Sequence, residues 1–173
     1  MAKLSIIIYP DPILRESCAP VERVDDDTRR LLDNMLETMY DAPGVGLAAP
    51  QVGVLRRILV MDPGFKKSEG PVESFLLINP EVLNFGDATR VYEEGCLSIP
   101  EMYAEVERPA TALVRYVDRD GKTQEKLFDG HAATVVQHEI DHLNGILFID
   151  YLSRLKRNRL IRKFHKGRRE AVL

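Results

Sequence analysis

Tryptophan is absent from this 173-residue chain, cysteine occurs only twice and histidine four times. Two cysteines, Cys18 and Cys96, do not make the framework of a small secreted scaffold, and a chain of this length buries a core without cross-links. No apolar run approaches the roughly 20 residues that a membrane-spanning helix requires. Leu4-Ser5-Ile6-Ile7-Ile8-Tyr9 is too short for the hydrophobic region of a signal peptide, and Pro10 and Pro12 stop it. The chain therefore reads as cytoplasmic, with both thiols reduced and no membrane contact. No internal repeat is visible, and the length suits one domain over residues 1–173.

Acidic residues are scarce only at one end. From Ser153 onward there are nine Lys or Arg against one Glu, net +8, so residues 1–152 carry −11 beneath the overall −3. Residues 153–173 read as a basic helix and tail on an acidic body.

His138-Glu139-Ile140-Asp141-His142 is the most informative stretch. On a helix this spacing puts two imidazoles on one face, where they grip one metal ion with the glutamate beside them. A tetrahedral catalytic site takes three protein ligands and keeps one position open. The third ligand is not the histidine of a metzincin pattern: Gly145 is in place, but Phe148 stands where that histidine belongs. His131 precedes His138 by two turns, roughly 10 Å along the axis. His165 lies in the basic tail. Glu170, the one acidic residue after Ser153, is not excluded by spacing. Cys96 is the better ligand, because Gly95 permits a tight turn and thiolate binds zinc- or iron-like ions strongly.

Asp25-Asp26-Asp27-Thr28 is a helix start, and Leu31, Leu32, Met35, Leu36, Met39 and Tyr40 repeat at helical spacing, predicting a helix over 26–41 packed on the core. Gly44-Val45-Gly46-Leu47-Ala48-Ala49-Pro50-Gln51 follows. Its small residues allow close backbone approach, and the Gln51 amide is a suitable donor to a developing oxyanion. Arg57–Met61, Phe75–Ile78 and Glu81–Val91 read as strands broken at Asp62-Pro63-Gly64 and Asn79-Pro80. Thr111–Val117 and Lys122–Phe128 flank the turn signal Asp118-Arg119-Asp120-Gly121. The motif helix is expected over 131–144, ended by Gly145, and a last helix from Ser153 to about Lys166. The order predicts an α+β fold: antiparallel or mixed sheets around a central metal-binding helix, with an N-terminal and a C-terminal helix.

Three segments, Gly44-Val45-Gly46-Leu47-Ala48-Ala49-Pro50-Gln51, Glu94-Gly95-Cys96-Leu97-Ser98 and His138-Glu139-Ile140-Asp141-His142, stand in this order. The combination resembles the peptide deformylase family in its type-1 bacterial form, and the similarity spans nearly the whole chain. The resemblance implies that Cys96, His138 and His142 bind the metal, usually Fe2+, with Zn2+, Ni2+ or Co2+ as substitutes. It implies hydrolysis of the N-formyl group on the initiator methionine of nascent polypeptides, with hydroxide formed at the metal and Glu139 as base and then acid. The oxyanion would be held by the metal, the Leu97 N–H and the Gln51 amide. Gly46 would let the substrate backbone come close, with Gly44 also in the substrate site, and Val45, Thr134 and Val135 would line the methionine pocket. Glu94 is expected to orient a ligand or line that pocket, and Asp141 to pair with Arg108. Two positions depart from the family: His131 stands where an apolar residue is usual, and Met102-Tyr103 where some relatives carry an arginine. The chain is expected to be a monomer, and by the same resemblance the basic C-terminal helix docks on the ribosome. Two rivals remain on sequence grounds, a zinc endopeptidase using the same histidine pair and a structural metal site in an RNA- or ribosome-binding module.

Overall fold

Ile58-Leu59-Val60-Met61 is apolar at all four positions, and all four side chains are fully buried. A strand covered on both faces needs no polar alternation, and this one lies inside a sheet sandwiched between helices. A computed structural model describes residues 2–172. Its helices are α1 (Asp26–Asp41), α2 (Gly130–Leu143) and α3 (Arg154–Val172). The strands are β1 (Gly46–Ala48), β2 (Ile58–Met61), β3 (Phe75–Phe85), β4 (Thr89–Cys96), β5 (Ile99–Pro109), β6 (Thr111–Val117) and β7 (Thr123–Asp129). An antiparallel sheet has the order β1-β2-β3-β6-β7, and β4 and β5 form a separate antiparallel hairpin.

The Asp25 side chain caps α1, accepting from the Thr28 N–H at 2.8 Å. Leu32, Met35 and Met39 of that helix pack with Leu47, Ile58, Val60 and Ile78 on one face of the sheet. The opposite face presents Leu59, Met61, Leu77, Val114 and Phe128 to Ala133, Val136, Ile140 and Leu143 of α2. The predicted α+β architecture around a central helix is thus observed. Gly145 ends α2 with φ +74, its N–H bonded to His142 O and the Ile146 N–H to Asp141 O, a Schellman stop. A third cluster, with Ile99, Val106, Phe148 and Phe164, ties the hairpin to the chain after α2 and to α3.

Strand boundaries depart from the sequence reading at four places. Asn79-Pro80 does not end a strand: β3 runs through it with a register shift, Asn79 at φ 51 and its side-chain amide bonded to both Val21 N and O. The turn signal marks a bulge. The run Glu81–Val91 instead breaks after Phe85, and its two halves enter different sheets. Strands β1 and β5 are unforeseen, and α3 extends beyond Lys166.

Candidate active site

One helical turn separates His138 and His142 on α2, and both are buried. Cys96 ends β4, where the register with β5 shifts to pair it with Ile99. The hairpin thereby delivers its thiol to the helix: Cys96 Sγ lies 3.4 Å from His142 Nε2, and donor atoms of Cys96, His138 and His142 lie within 4.8 Å of one another. Bonds of ~2.3 Å to sulfur and ~2.0–2.1 Å to nitrogen at a tetrahedral angle would separate the two donors by roughly 3.5 Å, so the set fits a zinc- or iron-like ion.

Glu94 decides which histidine nitrogen faces that site. Its Oε1 accepts from His138 Nδ1 at 2.9 Å, which leaves Nε2 as the ligating atom. Arg108 grips the same carboxylate twice, at 2.6 and 2.9 Å, and bonds Asp141 at 2.8 Å. Tyr151 donates to Asp141 at 2.7 Å and lies under the Arg108 guanidinium. Glu94 and Arg108 are buried, not solvated surface charges. Burial works to raise the pKa of Glu94, but the hydrogen bonds from His138 and Arg108 outweigh it and hold the carboxyl below its ordinary value. Burial also opposes charge on His138, yet the Glu139 carboxylate and hydrogen bonds to Cys96 and Glu94 hold that ring well above its usual pKa. His142, buried and facing His138 and Arg108, is held well below.

Glu139 is 4% exposed, and its Oε1 has no hydrogen-bond partner among the described residues. Burial pushes its pKa up to about 7, which suits a group that takes and returns a proton near neutrality. Gly46 in β1 gives this carboxylate its room: a Cβ there would sit 2.5 Å from Glu139 Oε2. Gly44 plays the same part for Leu97, whose side chain would meet an added Cβ at 2.6 Å.

Gln51 is buried, its Oε1 accepting from the Ala48 N–H at 2.9 Å. That bond turns Nε2 toward Ser98 Oγ at 3.1 Å and Cys96 Sγ at 3.5 Å. The N-terminal segment fixes both turns, as Ile7 N–H donates to Gln51 O and Tyr9 N–H to Ser98 O. A cleft of about 790 Å³ opens above these groups. Gly44, Val45, Gly46, Glu94, Leu97 and Val135 all line it, together with Gln51, Cys96, His138 and Glu139. Thr134, His131 and Tyr103 lie on its walls as well. The sequence reading gave Ser98 no role, although it ends the segment that carries Cys96, and it missed Tyr151, for which no local pattern gives a signal, and the bond from Arg108 to Glu94.

Cys96 and His138, the Glu139 carboxylate with its unpartnered Oε1 and the oriented Gln51 amide share one cleft, and His142 completes the donor set behind them. The class that this fold and site define is that of α+β hydrolases with a metal-binding centre. The family model described as polypeptide deformylase matches residues 3–158. Peptide deformylase of Rhizobium meliloti (strain 1021) is 57% identical over 162 residues, covering 94% of this chain and 92% of that protein. The solved structure of the Ehrlichia chaffeensis peptide deformylase superposes with a TM-score of 0.93 at 37% identity, covering 99% of this chain and 100% of that one. That of the Legionella pneumophila peptide deformylase gives 0.90 at 44%, covering 99% and 98%. The chain belongs to the polypeptide deformylase family.

Proposed function

We propose that this protein hydrolyses the N-formyl group from the initiator methionine of newly made polypeptides and releases formate. The observation that carries the reading is the convergence of Cys96, His138 and His142 in one donor set beside Glu139 and Gln51, with every one of these except His142 lining the cleft. Cys96 Sγ, His138 Nε2 and an Nε2 of His142 would hold one divalent ion, Fe2+ in the cell, with Zn2+, Ni2+ or Co2+ able to replace it. When bound, the ion supplies Lewis acidity, polarising the carbonyl and making water a stronger nucleophile at neutral pH.

The chain's own groups do the rest. Glu139 takes a proton from the attacking water as the new C–O bond forms. The carbonyl oxygen gains charge in that step, and the Gln51 Nε2–H and the Leu97 N–H hydrogen-bond it. Glu139 then gives the proton to the methionine nitrogen as the C–N bond breaks, which yields formate and a free amine. Glu94 and Arg108 keep His138 in the tautomer the site requires. Val45, Thr134 and Val135 receive the methionine side chain.

We read the protein as a cytoplasmic monomer of one domain. Among the described residues no helix is long and apolar enough to cross a membrane. The exposed basic face of α3 is suited to ribosomal RNA phosphate, so nascent chains meet the enzyme as they emerge. Purified protein, handled without oxygen, should release formate from formyl-Met-Ala-Ser and leave internal peptide bonds intact. Internal cleavage, or no formate with one metal ion bound per chain, would overturn the reading. Gly46→Ala supplies a finer check: the new methyl group displaces the Glu139 carboxylate, and kcat/KM should fall by about 10²-fold, the usual cost of misplacing a reacting group by an ångström. Circular dichroism should show an unchanged fold.

A further inference from the structure

The two imidazoles of the donor set are held in different ways. His138 has the Glu94 carboxylate at its second ring nitrogen. His142 has no counterpart to it: its Nδ1 is buried without a hydrogen bond to any of the described residues. Outer partners of that kind normally orient a ligating imidazole, so the direction of the His142 ring rests on the backbone that carries it. That backbone is the last turn of α2, and the last turn of a helix is where carbonyls run out of intrahelical partners and the chain frays.

Here the helix end is closed from outside. The Leu143 carbonyl, one residue past His142, accepts from the Cys18 N–H at 2.9 Å and from Arg57 Nη1 at 3.1 Å. The same arginine nitrogen donates to Asn144 Oδ1 at 3.0 Å. Arg15 Nη1 donates to the Gly145 carbonyl at 3.3 Å, while Asp150 grips its guanidinium at 2.6 and 3.0 Å. Shape fixes the same point, because a Cβ on Gly145 would collide with the Arg15 carbonyl. The two arginines come from segments that are tied to each other. Ala19 N–H donates to Leu55 O at 3.1 Å, and Arg57 N–H donates to Ala19 O at 3.0 Å. The stretch 12–19 and the entry to β2 therefore cross the end of α2 as one strap. Two guanidinium cations placed there also face the negative end of the helix dipole.

We propose that Arg57 and Arg15 are positioning residues for the metal centre: they clamp the last turn of α2 and thereby hold His142 Nε2 beside the Cys96 thiol. The inference rests on the deformylase reading for the presence of an ion and adds what fixes the one ligand that no side chain orients. Neither arginine lines the cleft, so any effect on the site travels through His142 and not through substrate.

The test uses Co2+, whose visible absorption follows its coordination geometry, added to metal-free wild type, Arg57→Met, Arg57→Lys and Arg15→Met. Methionine keeps an unbranched apolar stem and removes the donors. Chelator competition should show Co2+ bound at least about tenfold more weakly in Arg57→Met, the scale of a lost outer-shell support, with an altered spectrum at saturation. Both Arg57 bonds leave from one nitrogen, so a lysine ammonium can make them, and Arg57→Lys should recover most of the affinity and the wild-type spectrum. Hydrogen exchange reads the clamp without metal: the Leu143 and Asn144 amides should exchange faster in Arg57→Met, and the Val114 amide should not. Urea titration checks folding. A residue that serves stability alone would lower the urea midpoint and leave affinity and spectrum as in wild type. That outcome, or no recovery with lysine, overturns the proposal. Should Arg57→Met fail to fold, Arg15→Met, made on an exposed side chain, decides the matter by the same measurements. If wild type binds one Co2+ per chain yet releases no formate from formyl-Met-Ala-Ser, the deformylase reading fails, and the ratio of affinities still decides the clamp.

Discussion

Glu139→Gln is expected to lower kcat for formate release by about 10²–10⁴-fold, the range that a positioned acid–base group contributes. Glutamine matches glutamate in size, so it fits the space that Gly46 leaves and does not disturb the ligating residues. It cannot accept a proton. Metal content measured by atomic absorption should therefore stay at the wild-type level, and KM should change little. A fall in kcat accompanied by loss of metal would mean that Glu139 is a ligand or a structural support, and the mechanism would need another base. The pH profile gives an independent check. Burial pushes the Glu139 pKa up to about 7, while a cation held by its neighbours favours the ionised carboxylate. Activity should thus drop as pH falls through a value at or below 7, and this limb should vanish in the glutamine variant.

Arg108→Ala is expected to cost about 3–5 kcal/mol of unfolding free energy, the usual penalty for breaking a buried ion pair from one side. The cost arises because Glu94 is left as a buried carboxylate with only His138 for a partner, and Asp141 keeps only Tyr151. Since Glu94 steers His138, metal affinity should fall by about 10–100-fold as well. Urea titration and competition with a chelator read the two effects separately. Adding Glu94→Gln to the alanine variant removes the stranded charge and should recover part of the lost stability. A single-variant loss near zero, or no recovery in the double variant, would show that the pair is not the support described here. The pH dependence has a definite sign. The Glu94 pKa is lowered in the fold, so its stabilisation is present at neutral pH and is lost as pH falls through its depressed folded value.

The two histidines were legible because an interval of four residues on a helix fixes their relation without reference to anything else. Helix α1 and the β6–β7 hairpin were legible for similar reasons, from a capping aspartate with 3.6-residue periodicity and from a turn sequence between two strand-like runs. Arg108 shows what local reading misses. Met102, Ala104, Val106 and Arg108 are the inward positions of β5, the first two half-buried and the last two buried, while Tyr103, Glu105 and Glu107 are exposed. The alternation is present in the sequence, but an arginine in the inward phase reads as a strand's end until Glu94 is seen across the hairpin. At Asn79-Pro80 the opposite error occurs, because the signal for a turn and the signal for a bulge use the same residues.

The sequence alone determined which donors exist, how far apart the histidines sit on their helix, and which chemistry a thiol, two imidazoles and a carboxylate can perform. Only the tertiary structure decided that Cys96 reaches the helix, that Arg108 is buried against Glu94, that Gly46 is small because Glu139 occupies the space beside it, and that Arg57 closes the end of α2. The division has one physical reason. Relations within a helix turn or a hairpin follow from backbone geometry, whereas contacts between distant segments are set by the packing of the whole core, and no local pattern encodes that packing.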